Sequence, residues 1–176
     1  MVLEINRLIF GKDKTMTPTP PLKKEVPIHS PGQAKIIQAC EKHWHAHQSN
    51  CSGFVNAVAD QLAIPLPHVQ ANPMIDYIAS WKTPSWWKIN TPAEAGSYSE
   101  KGYFVLACLK NTSHGRASHG HVVVITSGHE PAHGIYPRGY WGMYGGVGKM
   151  NSTINYTFDM SFLPRQVTYF RYMRVL

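Results

Sequence analysis

A cysteine among polar residues, just ahead of a helical pattern, is the first place where this sequence has the residue types and spacing for chemistry. In QSNCSGFVNAVADQL, residues 48–62, Cys51 follows Ser49 and Asn50. Either of these can cap a helix by accepting hydrogen bonds from its first N–H groups. Apolar residues then recur at spacings of three and four, as on one face of an amphipathic helix. Cys51 is therefore predicted in the first helical turn, where the helix dipole lowers a thiol's pKa and favours the nucleophilic thiolate.

The alternative interpretation of Cys51 is a buried free cysteine that only begins a helix. We place it second because the flanking residues are polar and because Gly53 leaves the backbone approachable. A nucleophilic cysteine needs a base, and one of the 10 histidines stands out by position. His121 opens the strand-like run HVVVIT, where a buried strand holds a side chain rigidly, as a general base must be held. His114 and His119 lie instead in the polar loop KNTSHGRASHG.

The elements that must position this pair form one domain. The chain of 176 residues divides into an N-terminal extension or tether, residues 1–29, and a domain of residues 30–176. The first segment contains TMTPTPPLKKEVP, whose prolines and lysines indicate an extended tether. Helices are predicted from a capping box at Ser30, from Cys51 to near Pro65, and over ANPMIDYIASW with Asn72 as its cap.

After residue 102 the pattern changes to short apolar runs that are typical of strands. The strand candidates are GYFVLACL, HVVVIT, TINYTF and QVTYFRYMRVL, and GIYPRGYWGMYGGVG suggests a strand that runs into a loop. Helices first and strands afterwards predict an α+β fold with N-terminal helices packed on an antiparallel sheet.

Charge and composition exclude several classes of function. The net charge of +7 and the pI near 9.4 favour anionic partners. The basic residues are scattered, with Lys23-Lys24 as the longest run, so a nucleic-acid partner is not expected. No apolar stretch suits membrane insertion. The start, MVLEINRLIFGKDK, lacks the apolar region of a secretory signal, so we do not expect export by the general pathway.

The three cysteines show no zinc-binding spacing, so no metal is expected. Cys40 and Cys108 each lie in an apolar run and are predicted as reduced core thiols, although a bond between the two stays possible. SWKTPSWWKIN contains Trp81, Trp86 and Trp87. These are candidates for the wall of a sugar or peptide groove, but core packing plus a surface loop is the preferred interpretation.

The motifs ACEKHW, NCSGFV, AIPLP, ANPMID and GHVVVITSG occur in this order. With their spacing, they resemble the first family of type VI secretion amidase effectors, papain-like peptidases of the NlpC/P60 superfamily. The resemblance runs from about residue 34 to about residue 150, and NCSGFV with GHVVVITSG is its most specific part. It implies a papain-like NlpC/P60 fold with Cys51 as nucleophile and His121 as general base and acid. The implied reaction is hydrolysis of the γ-D-glutamyl–diaminopimelate amide in peptidoglycan.

The resemblance also implies partners and a location. The chain would be made in the cytoplasm and delivered by the type VI secretion machinery, without a signal peptide, into the periplasm of a neighbouring Gram-negative cell. There the peptidoglycan stem peptide would be its substrate, and a cognate periplasmic immunity protein would protect sibling cells. We expect no metal or organic cofactor. The oxyanion of the intermediate would be met by backbone N–H groups of Ser52 or Gly53.

Two points stay open at this stage, the group that orients His121 and the activity itself. The group that orients His121 is either His133, which has the spacing seen in the superfamily, or a backbone carbonyl near Tyr140–Trp141. The segment GYWGMYGGVG, residues 139–148, is predicted to border the groove and to offer Trp141 and Tyr144 as anchors for an inhibitor.

The activity itself has two alternatives. The same fold can cut the D-alanyl–diaminopimelate cross-link instead. A protein of another class, an inactive wall-binding or interaction module, is the other. The presence of both Cys51 and His121 argues against that module.

Overall fold

The structure is a computed structural model that describes residues 29–111, 119–128, 136–158 and 166–176. Within these ranges a six-stranded antiparallel sheet has the order β1-β6-β2-β3-β4-β5. The strands are β1 (Trp86–Ile89), β2 (Tyr103–Leu109), β3 (His121–Ser127), β4 (Arg138–Trp141), β5 (Lys149–Thr153) and β6 (Val167–Val175). Strands β2 and β3 lie at the centre, so His121 is at the end of a strand with a neighbour on each side.

Helices cover both faces of the sheet. On one face lie α1 (Pro31–His47), α2 (Cys51–Gln61) and α3 (Ala71–Ala79), and on the other lies α4 (Pro92–Glu100). Strand β3 shows the division, because successive side chains of a strand point to opposite faces. Val122 and Val124 pack with the first three helices, whereas Val123 and Ile125 pack on the α4 side.

The α+β class and the antiparallel sheet are thus confirmed, and the first three helices pack on the sheet as predicted. Helix α4 and strand β1 were missed. The start of α4 carried a readable signal, since Thr91 and Glu94 form a complete capping box. The Thr91 hydroxyl accepts the Glu94 N–H at 3.1 Å, and the Glu94 carboxylate accepts the Thr91 N–H at 3.2 Å.

The starts of α1 and α2 were predicted better than the end of α2. Ser30 caps α1 by accepting the Gln33 N–H at 3.2 Å. Only half of the predicted capping box forms, because the Gln33 side chain donates to the Thr126 carbonyl of β3 at 2.8 Å. Helix α2 ends at Gln61 rather than near Pro65, because Ala63 adopts a left-handed φ of 53°.

The predicted cap of α3 is wrong. The helix begins at Ala71, and the side chain of its N-cap residue, Gln70, makes no capping hydrogen bond. Asn72 lies inside the first turn and reaches across to the end of β2. Its side-chain amide donates to the Asn111 carbonyl at 2.9 Å, and its oxygen accepts the Asn111 N–H at 3.1 Å. Asn72 therefore ties α3 to the sheet.

The run TINYTF is a second correction. It was predicted as a strand, but β5 ends at Thr153 and residues Ile154–Tyr156 form a short 3₁₀ helix. This turn brings Thr157 and Phe158 back toward the sheet. The run QVTYFRYMRVL was predicted correctly, as strand β6.

All three thiols are free, and Cys40 and Cys108 are fully buried, as predicted for reduced core cysteines. In the part of the chain that the structure describes, every helix is too short or too polar to cross a lipid bilayer. The extension predicted for residues 1–29 lies outside the described residues except for His29.

Candidate active site

Cys51 is held at the start of α2 by the turn that precedes it. Asn50 is the N-cap, and its side-chain oxygen accepts the Gly53 N–H at 2.9 Å. The Gln48 carbonyl in the same turn accepts N–H groups from Met143 at 3.0 Å and from Gly148 at 2.7 Å. Through these two hydrogen bonds the segment after β4 packs against the turn that carries Cys51.

This close packing requires glycine at two positions. A Cβ on Gly142 would collide with the carbonyl oxygens of His47 and Asn50. A Cβ on Gly148 would collide with the carbonyl of Trp141. The segment can lie against the α1–α2 turn only because these two residues lack side chains.

The Cys51 thiol lies against the start of β3. Its side chain is only 6% exposed, and Sγ is 3.9 Å from the Gly120 carbonyl oxygen. On the other side of His121, the Val122 N–H is close enough to the same sulfur to lower the pKa of the thiol. Since β3 and β4 pair Val124 with Tyr140, their register would place Gly142 opposite Val122, but Gly142 packs on the α1–α2 turn instead. The sulfur thus contacts the backbone on both sides of His121.

His121 is held by groups from the segment after β5. Its ring meets the Phe158 ring edge-on, with centroids 5.3 Å apart and an interplanar angle of 70°. Its Nε2 atom is 2.7 Å from the Thr157 hydroxyl oxygen. Among the described residues no hydrogen bond joins the thiol to the imidazole, and His121 is not one of the residues that line the cleft at Cys51.

Burial controls the protonation of both groups. Burial raises the pKa of the Cys51 thiol, and the backbone N–H groups of Val122, Ser52 and Cys51 itself lower that pKa by less. The prediction of a lowered thiol pKa is therefore wrong, because desolvation outweighs the helix terminus. Burial also lowers the pKa of His121 to about 4. Both shifts favour the neutral forms of the thiol and the imidazole at neutral pH.

A cleft of about 410 Å³ opens in front of the thiol. Its walls come from the α1–α2 turn, the start of α3, the residues before β3 and the segment after β4. The lining residues are Ser49, Asn50, Cys51, Ser52, Gln70, Ala71, Asn72, His119, Gly120 and Tyr144. The rings of His119 and Tyr144 lie 4.9 Å apart at its edge.

Of the two aromatic residues predicted as anchors in the bordering segment, only Tyr144 lies at the cleft. Tyr144 is 74% exposed and lines the cleft. Trp141 is fully buried in the core on the α4 side, so it is no surface anchor. Its carbonyl, a candidate for orienting His121, accepts the indole N–H of Trp44 at 3.0 Å. The other candidate, His133, lies outside the described residues.

The sequence analysis missed Thr157, because nothing in TINYTF indicates a turn that places a hydroxyl next to a histidine.

The two N–H groups that were predicted to stabilise the oxyanion differ in their surroundings. The Gly53 N–H is used by the Asn50 cap, whereas the Ser52 N–H is close enough to the Cys51 sulfur to lower the pKa of the thiol.

The tryptophan-rich run forms a separate groove of about 630 Å³ beyond α3. Trp86 is a core residue and packs against Phe104, with ring centroids 6.2 Å apart. Trp81 is 86% exposed and, with Trp87, lines that groove. None of these three residues lines the Cys51 cleft.

Comparison with known proteins gives one informative similarity. No family model matches the chain. Over 100 residues the chain is 38% identical to the peptidoglycan amidase Tse1 of Pseudomonas aeruginosa. The match covers 53% of this chain and 59% of the relative, so it spans little more than half of either protein. It confirms the resemblance to amidase effectors that was inferred from the motifs.

The raised thiol pKa predicts how alkylation of the native protein depends on pH. Cys51 should react with iodoacetamide before Cys40 and Cys108, which are fully buried. Its rate should keep increasing from about pH 7 to about pH 9, because the thiolate is the reacting form and its fraction is still growing. Peptide mapping by mass spectrometry over time measures the order in which the cysteines are labelled and the rate for Cys51 at each pH. A rate that levels off below neutral pH, or earlier labelling of another cysteine, contradicts this.

The close approach after β4 predicts unequal effects of two glycine substitutions. Gly142→Ala should lower the free energy of unfolding by about 1–3 kcal/mol, because the methyl group has no space. The control is Gly146→Ala in the same segment, where the nearest atom to the new methyl is Met143 Sδ at 3.7 Å. It should stay within about 0.5 kcal/mol of the unmodified protein. Urea unfolding measures both, and equal stabilities would show that Gly142 is not constrained.

Proposed function

We propose that this protein is a peptidoglycan amidase, a cysteine hydrolase of the papain-like NlpC/P60 type. Cys51 is its nucleophile and His121 its general base and acid. The observation that carries the proposal is the Cys51 sulfur, which lies at an open cleft and contacts the backbone on both sides of His121. The similarity to a peptidoglycan amidase supports the substrate class.

The protonation states favour general-base catalysis over a preformed ion pair. With a pKa of about 4, His121 is unprotonated at neutral pH and can accept a proton. It takes the thiol proton as the Cys51 sulfur bonds to the amide carbonyl carbon. The N–H groups of Val122 and Ser52 favour the negative charge on sulfur while the proton leaves.

In the later steps His121 acts first as an acid and then again as a base. The carbonyl oxygen becomes an oxyanion, which the Ser52 N–H stabilises in this proposal. Collapse of the intermediate breaks the C–N bond, and protonated His121 gives its proton to the leaving amine. Water, deprotonated by His121, then adds to the thioester carbonyl and releases Cys51 as a thiol.

The cut bond in this proposal is the γ-D-glutamyl–diaminopimelate amide of the stem peptide. The net charge of +7 suits a substrate that carries several carboxylates. The substrate lies in the periplasm of a target cell, and type VI secretion is the proposed route of delivery. The exposed Tyr144 at the cleft edge is an anchor for an acidic immunity protein that closes the cleft.

Digestion of purified peptidoglycan tests the proposal. We expect stems shortened to dipeptides, which mass analysis of the muropeptides distinguishes from severed tetrapeptide cross-links, the product of the alternative cut. Cys51→Ala and His121→Ala should each lose activity by at least about a thousandfold, because nucleophile and base act as a unit.

The matched control is Cys40→Ala, which removes a fully buried thiol that does not line the cleft and should keep activity. Full activity of Cys51→Ala would eliminate the cysteine mechanism. Tight binding to peptidoglycan without any cleavage by the unmodified protein would favour the wall-binding module instead.

A further inference from the structure

We infer that Thr157 is a positioning residue for His121: its hydroxyl holds the imidazole through Nε2 and leaves Nδ1 as the nitrogen that takes the proton of Cys51. This inference rests on the proposed function and specifies the third member of that site. It assigns the orienting role to Thr157 instead of the two candidates from the sequence, His133 and the Trp141 carbonyl.

Two contacts fix the far end of the His121 ring. Thr157 Oγ1 lies 2.7 Å from Nε2, a short distance for a hydrogen bond between nitrogen and oxygen. The Phe158 ring meets the imidazole edge-on and limits its rotation. Of the two ring nitrogens, Nδ1 is the one next to the atom that joins the ring to the main chain. It therefore lies nearer to the stretch of backbone that the Cys51 sulfur contacts.

The hydroxyl is carried by a well-anchored backbone. The Thr157 N–H donates to the Ile154 carbonyl at 3.1 Å, and the Phe158 N–H donates to the same oxygen at 3.0 Å. Ile154 and Phe158 are almost fully buried in the core on the α4 side, which also contains Val123 of β3. The Ile154 N–H donates to the Pro137 carbonyl at 3.1 Å, just before β4. Thr157 is thus held between two buried anchors.

The bond is also compatible with the tautomer that catalysis needs. A general base needs a lone pair on the nitrogen that faces the thiol, so the proton of the neutral ring must be on Nε2. Thr157 is partly exposed, so its hydroxyl can donate a hydrogen bond to water while its oxygen accepts a hydrogen bond from the Nε2–H group. The other tautomer would place an N–H against the thiol and could not remove its proton.

A second threonine in the same segment offers a matched control. Thr153 at the end of β5 is 2% exposed, and its hydroxyl oxygen has no hydrogen-bond partner in the described residues. Replacing either threonine by valine removes one hydroxyl and keeps the side-chain shape. The two substitutions differ in whether that hydroxyl reaches His121.

The experiment compares Thr157→Val, Thr157→Ser and Thr153→Val in the full chain. The substrate is a soluble disaccharide peptide prepared from peptidoglycan. Thr157→Val should lower kcat roughly tenfold and leave KM within about twofold, because the lost bond acts on the base rather than on substrate binding. Thr157→Ser should recover at least half of the original kcat, and Thr153→Val should match the unmodified protein.

Nitrogen NMR of the His121 ring provides a readout that does not depend on hydrolysis. The unmodified protein should show the proton on Nε2, and Thr157→Val should show a mixture of the two tautomers. Unchanged kcat and tautomer in Thr157→Val would overturn the inference, as would a Thr157→Ser variant as impaired as the valine variant. Hydrolysis that persists in Cys51→Ala would instead refute the proposed function, and the NMR result would still decide the role of Thr157.

Discussion

The contact between the Cys51 sulfur and the backbone at the start of β3 is the constraint on which the site depends. It requires the beginning of α2 to approach the sheet more closely than ordinary side chains allow. Glycine occupies the points of closest approach. A Cβ on Gly120 would collide with the Asn72 side chain, and one on Gly142 would collide with the α1–α2 turn. The site is a junction where the α1–α2 turn, the start of α3, the start of β3 and the segment after β4 pack closely around the cleft.

The same tight packing decides the electrostatics of the Cys–His pair. Desolvation disfavours charge on either partner, so burial raises the pKa of Cys51 and lowers that of His121 to about 4. His121 is then neutral across the physiological range and becomes protonated only as the pH falls toward 4. In the proposed mechanism the charged state appears during attack, when the N–H groups of Val122 and Ser52 favour negative charge on the sulfur. In this account the site is preorganised for the reaction rather than for a resting thiolate.

How far the site could be predicted from the sequence depended on the range of the interactions. The position of Cys51 followed from local rules, since the Asn50 cap and the apolar spacing lie within a dozen residues of it. The start of β3 at His121 followed from a run of β-branched residues. Thr157 depended on a 3₁₀ turn that packs against a strand far away in the chain, and no local pattern encodes that contact. The thiol pKa was predicted with the wrong sign, because burial is a property of the whole fold.

Acid quenching during turnover tests the central claim, nucleophilic attack by Cys51, most directly. The protein is mixed with a soluble muropeptide in excess, stopped in acid within the first turnovers and mapped by mass spectrometry. A thioester-linked acyl fragment should be found on the peptide that contains Cys51, and Cys40→Ala should give the same adduct. Hydrolysis that proceeds at full rate with Cys51 unmodified at every time point, and equally in Cys51→Ala, would contradict the account.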